Sequence, residues 1–119
     1  MPGLIQQEDN CLDYVEFVVS DIEKSKEFYG GVFGWTFTDY SPDYCEFSDG
    51  RMKGGFTTQG KVQPGGALVV IYHNDPESIL NKILAAGGLI TVELFQFPGG
   101  ERFQFTDLDG YELAVWRKL

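Results

Sequence analysis

Basic residues are scarce in this chain: nine against eighteen acidic ones among 119 residues, for a formal net charge of −9. No Lys/Arg cluster is longer than Arg117-Lys118. Affinity for phosphate rests on neutralising it with such residues, so nucleic acid and anionic membrane surfaces are excluded as partners. Cysteine is equally sparse. Cys11 and Cys45 stand alone, without a CxxC pair or a neighbouring histidine, which is too little for a zinc site and ordinary for a reducing compartment. Whether the two stay reduced is left open. His73 is the single histidine, so imidazole-based metal or nucleophile chemistry has one residue to draw on. Apolar runs long enough to span a bilayer are lacking, and Met1–Asn10 has neither the basic start nor the apolar core of a secretory leader. A short lead-in over 1–11 and a cytoplasmic location are expected.

What is present is an aromatic-rich chain, with ten Phe, six Tyr and two Trp, of a size that folds without disulfide or metal. Leu12–Val19 alternates Tyr14/Glu16/Val18 with Val15/Phe17/Val19, the pattern of a strand. Ser20-Asp-Ile-Glu23 reads as a capping box opening a helix with Ile22, Phe28, Tyr29, Val32 and Phe33 on one stripe. Three short strands follow, Trp35–Tyr40, Tyr44–Ser48 and Met52–Thr58, separated by turn formers.

After Gly60–Gly66 the order starts again. Ala67–Tyr72 is a strand, Asn74-Asp-Pro-Glu77 a helix start, and Ile79, Leu80, Ile83 and Leu84 a helical stripe ended by Gly87-Gly88. Leu89–Phe95, Arg102–Thr106 and Tyr111–Trp116 complete the set. Asp21 matches Asp75 and Gly34 matches Gly88, each pair 54 residues apart. The fold class is α+β. Two βαβββ repeats, 12–59 and 67–117 joined by a linker at 60–66, are expected to form one domain over 12–119, an open eight-stranded sheet curled around a cavity with the helices outside.

Alternation sorts the faces. Val15, Phe17, Val19, Val69, Ile71, Leu113 and Val115 are uniformly apolar and belong beneath the helices. The opposite faces place Tyr14, Glu16, Met52, Phe56, Leu68, Tyr72, Glu112 and Trp116 in the cavity. Glu16 is the sharpest of them, because a carboxylate in an apolar strand needs a partner or shifts toward its neutral form. It reads either as a general base or ligand anchor, or as the partner of Arg51, Lys53 or Arg102. Tyr14, Tyr72 and Trp116 either stack on a flat or cationic ligand or fill a small barrel. His73 reads as a surface residue near a helix start, and Pro98–Arg102 as a hairpin lip.

The runs Tyr14–Asp21, Ser25–Tyr29, Val32-Phe-Gly-Trp35, Ala85–Gly88, Pro98–Phe103, Thr106–Gly110 and Glu112–Trp116 give the chain a family likeness. It resembles the vicinal oxygen chelate superfamily of glyoxalases, bleomycin resistance proteins and extradiol dioxygenases. Within it the chain is similar to small bacterial enzymes related to lactoylglutathione lyase. The resemblance implies the glyoxalase-like fold and a two-fold dimer. In the catalytic members it also implies a divalent metal held by four strand residues, which fall here on Tyr14, Leu68, Ala114 and a position near Gly54. None is an ordinary ligand for such an ion. The expectation is therefore a homodimeric binder of a small cationic or aromatic molecule, with no metal and no other cofactor. The alternative is a lyase, isomerase or dioxygenase using an unusual divalent-metal site or Glu16 as base.

Overall fold

The computed structural model describes residues 7–119, so the first six residues of the expected lead-in lie outside the described ones. The chain divides into two compact units, the first ending at Val62 and the second starting at Gln63. The first runs β1 (Tyr14–Val18), α1 (Ile22–Phe33), β2 (Thr36–Ser41), β3 (Tyr44–Ser48) and β4 (Lys53–Thr57). The second runs β5 (Val69–Tyr72), α2 (Pro76–Ala85), β6 (Leu89–Phe97), β7 (Gly100–Thr106) and β8 (Glu112–Lys118). The βαβββ pattern thus occurs twice. Its eight strands form two open, mixed, four-stranded sheets ordered β1-β4-β3-β2 and β5-β8-β7-β6. Among the described residues no helix is long and apolar enough to cross a membrane.

In the first unit α1 is capped by Asp21, whose carboxylate accepts from the Lys24 N–H at 3.1 Å. The cap is one residue later than the capping box of Ser20 and Glu23 implies. Gly30 and Gly31 continue the helix, which stops at Gly34 in the left-handed region (φ 76°), where glycine carries no Cβ penalty. Ile22, Ser25, Phe28, Tyr29 and Val32 form its buried stripe. Beneath it lie Phe17 of β1, Phe47 of β3 and Phe56 of β4, with Trp35 stacked on Tyr29 at 4.7 Å and on Phe47 at 4.5 Å. β1 and β4 run parallel, with Phe17 opposite Phe56.

In the second unit Asp75 caps α2 by accepting from the Ser78 N–H at 3.3 Å, and Pro76 occupies the first turn, where no N–H is needed. Ile79 and Ile83 are buried, and α2 packs on β6, β7 and β8. Phe103, Phe105, Leu113 and Val115 are fully buried, as the alternation predicts for the last two. The two matching turns are built alike. Asp49 Oδ1 accepts from Arg51 and Met52 N–H groups, and Asp107 Oδ1 accepts from those of Asp109 and Tyr111.

Candidate functional site

Each unit turns one sheet face away from its helix, and those faces carry most of the residues singled out by alternation. On β1, Tyr14 and Glu16 point opposite to Phe17. Tyr44 of β3 reaches them across β4: its hydroxyl donates to Glu16 Oε1 at 2.8 Å, and Tyr14 Oη lies 2.7 Å from Tyr44 Oη. A phenol has one proton, so with Tyr44 committed to Glu16 it is Tyr14 that donates to Tyr44. Burial, then the bonds to Tyr14 and Glu16, push the Tyr44 hydroxyl well above its ordinary pKa, and burial raises that of Tyr14. Both phenols stay protonated at neutral pH and cannot act as bases.

Gly55 makes this cluster possible. A Cβ at that position would lie 2.2 Å from Tyr44 Oη and 2.9 Å from Tyr14 Oη. Met52 joins Tyr14 in lining a shallow concavity of about 350 Å³ with Arg51, Lys53, Asp13 and Glu46. Lys53 pairs with Glu46 at 3.4 Å, and Glu16 takes a tyrosine hydroxyl as its partner.

Phe56 does not belong to this face. It is fully buried under α1, its ring within 5.4 Å of Tyr29 and 5.0 Å of Phe47. β4 begins at Lys53, so Phe56 shares a face with Gly54, and a Cβ on Gly54 would strike the Phe47 ring at 2.1 Å. Gly55, one step on, occupies the helix-free face, and the resemblance places its fourth ligand position near Gly54.

In the second unit the helix-free face is an aromatic wall. Tyr72 of β5 meets Trp116 of β8 edge-on at 5.2 Å, and Phe97 of β6 lies 6.4 Å from Trp116. Val70, Phe97, Arg102 and Trp116 line a cleft of about 230 Å³. Val70 and Tyr72 are about half exposed, as large apolar residues on a closed core would not be. Leu68 precedes β5 by one residue and is half-buried. Glu112 Oε2 accepts from Thr91 Oγ1 at 2.6 Å and from Gln104 Nε2 at 3.0 Å. The bond from Thr91 and then that from Gln104 hold its carboxyl below the ordinary value.

Residues outside these faces take structural roles. His73 Nδ1 accepts from the Asp75 N–H at 2.9 Å beside the α2 cap. Pro98 and Gly99 form a two-residue turn between β6 and β7. Both thiols are free; Cys11 is exposed, whereas Cys45 is buried and its thiol is pushed up to about 11, chiefly by that burial.

Tyr44, Gly55, Phe97 and the full role of Arg102 escape the sequence reading. The Tyr44/Glu46/Ser48 alternation against Cys45/Phe47 was the available signal for Tyr44, since it places a phenol on the polar face of β3.

Residues 11–115 match the family described as the Glyoxalase/Bleomycin resistance protein/Dioxygenase superfamily. Among curated proteins, the chain is 30% identical to the anthracycline biosynthesis protein DauV of Streptomyces sp. (strain C5), over 82% of this chain and 43% of that protein. The chain therefore spans less than half the length of that relative. Among solved structures, a glyoxalase/bleomycin resistance protein/dioxygenase family enzyme from Burkholderia phytofirmans PsJN superposes with a TM-score of 0.79 at 17% identity, covering 90% of this chain and 98% of that one. The fosfomycin resistance protein FosX of Mesorhizobium loti superposes with a TM-score of 0.78 at 16% identity, covering 94% and 95%.

Proposed function

The chain belongs to the Glyoxalase/Bleomycin resistance protein/Dioxygenase superfamily, and from that premise we propose that it is a cytoplasmic protein that binds a small organic molecule on the helix-free sheet face of its second unit without using a metal. The observation carrying this reading is the aromatic cleft of Val70, Phe97, Arg102 and Trp116, flanked by a half-exposed Tyr72. Small-molecule sites are concave and mostly apolar, with few polar groups, and this cleft has that composition. The relatives' names, anthracycline biosynthesis and fosfomycin resistance, are in keeping with a small organic ligand.

The donor set argues against a metal of the family's kind. Such an ion needs three or four imidazole, carboxylate or thiolate groups converging from different strands. Ala114 is fully buried and carries no donor, Leu68 is apolar, and neither Gly54 nor Gly55 has a side chain. Tyr14 is engaged with Tyr44. Among the described residues no group of three His, Cys, Asp or Glu side chains is placed to hold an ion. Glu16, the candidate base, already accepts a hydroxyl from Tyr44, which favours binding over base catalysis.

Elemental analysis after chelator-free purification should find no stoichiometric metal, and Ni²⁺, Zn²⁺ or Mn²⁺ should leave the melting temperature unchanged. A fragment set followed by amide and indole NMR should shift the signals of Tyr72, Arg102 and Trp116. Stoichiometric metal, or fragments that leave all three signals unmoved, would sink the reading.

We also propose a homodimer. Strands β1, β2, β5 and β6 lie at the edges of their four-stranded sheets, and sheet edges invite a second copy. Light scattering should report twice the 13.4 kDa chain mass; a monomer at high concentration would count against it.

A further inference from the structure

We infer that the cleft of the second unit selects a planar aromatic anion, an aryl carboxylate or phenolate whose oxygen accepts from Arg102. This rests on the small-molecule reading above and names the ligand's chemistry. Arg102 sits on β7 directly opposite Trp116 of β8 and Phe95 of β6, so the register alone places a guanidinium among rings. Its guanidinium lies over the Phe95 ring at 5.6 Å. One terminal nitrogen, Nη2, donates to Gln104 Oε1 at 3.2 Å. Nε is buried, yet among the described residues nothing accepts from it. A buried donor without an acceptor is costly and rare in a native fold, and the side chain that carries it also lines the cleft, where a ligand oxygen can meet the guanidinium.

The neighbouring arginine shows the contrast. Arg117, on β8, is neutralised by Glu101 of β7, whereas among the described residues no carboxylate pairs with Arg102. In a chain of net charge −9, a guanidinium that lines a cleft with Trp116 and Phe97 favours an anion locally. Its orientation is fixed from behind. Thr91 and Gln104 both donate to Glu112, and holding the Gln104 amide nitrogen there turns the amide oxygen toward Arg102. The two carboxylates that would favour a cation, Glu16 and Glu112, already accept from neutral donors. Rings supply the flat surface and Arg102 the charge, a pairing suited to a conjugated acid.

The test titrates two probes of the same ring system, 2-naphthoate and 2-naphthylmethylammonium, into the full chain at neutral pH. The indole N–H signals of Trp116 and Trp35 are followed by NMR, and affinities by calorimetry. Naphthoate should shift Trp116 and leave Trp35 of the first unit alone, and it should bind at least tenfold more tightly than the ammonium. Arg102→Met should lose about tenfold or more of the naphthoate affinity, the scale of one charge-assisted hydrogen bond. Arg102→Lys, which keeps the charge without the guanidinium, should fall between, and thermal melts would confirm that both variants fold. Equal affinity for the two probes, or unchanged naphthoate binding in Arg102→Met, overturns the inference while leaving a small-molecule site in place. Response to neither probe overturns the inference, and the small-molecule reading is then decided by the fragment set. A Trp116 signal that changes with protein concentration but not with naphthoate assigns the cleft to a second copy and overturns it too.

Discussion

Where β1 meets β4, Val15 faces Gly54; where β5 meets β8, Val69 faces Leu113. The two places correspond within the repeat, but one holds no side chain and the other a fully buried leucine. The rings explain the difference. The first unit packs Phe17, Tyr29, Trp35, Phe47 and Phe56 beneath or beside α1, and Phe47 takes the volume that a side chain at 54 would need. The second unit fills its core with Ile79, Ile83, Leu113 and Val115 around Phe103 and Phe105. One backbone plan thus accepts either stacked rings plus glycine or branched aliphatics, provided the total volume is kept.

The helix-free faces differ in kind as well. The first carries a closed chain of phenols ending on Glu16, in which donors and acceptors satisfy one another. The second leaves Arg102 Nε without an acceptor among the described residues, beside half-exposed rings. A face with its polar groups settled is a support, whereas one with an open valence is a receptor.

The sharpest way to break the packing comparison is to make opposite changes at the matched positions. Gly54→Ala puts a methyl 2.2 Å from the Val15 carbonyl oxygen, a backbone atom that cannot swing away, and should cost about 3 kcal/mol or more by overpacking. Leu113→Ala should cost a similar amount, about 2–5 kcal/mol, by leaving a cavity. Urea unfolding would measure both. If Gly54→Ala is as stable as the parent, the ring-for-glycine account is wrong.

A smaller effect is expected from Tyr44→Phe, which removes the hydroxyl joining Tyr14 to Glu16. It should lower stability by about 1 kcal/mol, with no loss of ligand response at Trp116. A Tyr44→Phe variant that abolishes binding in the other unit would mean that the first face is more than a support.

The smallest effect separates the units by pH. Tyr14 and Tyr44 are raised in the fold, so their contribution is whole below the unfolded tyrosine value of about 10 and is lost as pH rises through the folded ones. Glu112 is lowered, so its contribution is whole above the unfolded carboxyl value of about 4.3 and is lost as pH falls through the folded one. Relative to its own stability at neutral pH, Glu112→Gln should change only the acid limb of a stability profile, and Tyr44→Phe only the alkaline limb. A shift of the same limb by both substitutions would contradict the assignment.

Much of this was readable from residue order. The alternation in Tyr14–Val19 identified which face of β1 the helix covers, and Asp21 and Asp75 marked both helix starts. Phe56 was misplaced because β4 begins Lys-Gly-Gly: two adjacent glycines carry no alternation, so its register comes only from pairing with Phe17 and Cys45. Tyr44 and Arg102 were underread for a related reason. Their importance lies in cross-strand neighbours, Glu16 for one and Trp116 for the other, which residue spacing does not reveal.

The parallel pairings also set an order of events in time. β2, β3 and β4, like β6, β7 and β8, follow one another and pair antiparallel with their neighbours in sequence, so each three-stranded ribbon can zip from local contacts. β1 meets β4 only across α1, β2 and β3, and β5 meets β8 only across α2, β6 and β7. The entropy of closing those long loops falls due before the contacts repay it. The strands bearing Tyr14, Glu16, Val70 and Tyr72 are therefore the last to dock and the first to leave. Their amides should exchange with solvent ahead of those in the ribbons, making each candidate face the most readily opened part of its own unit.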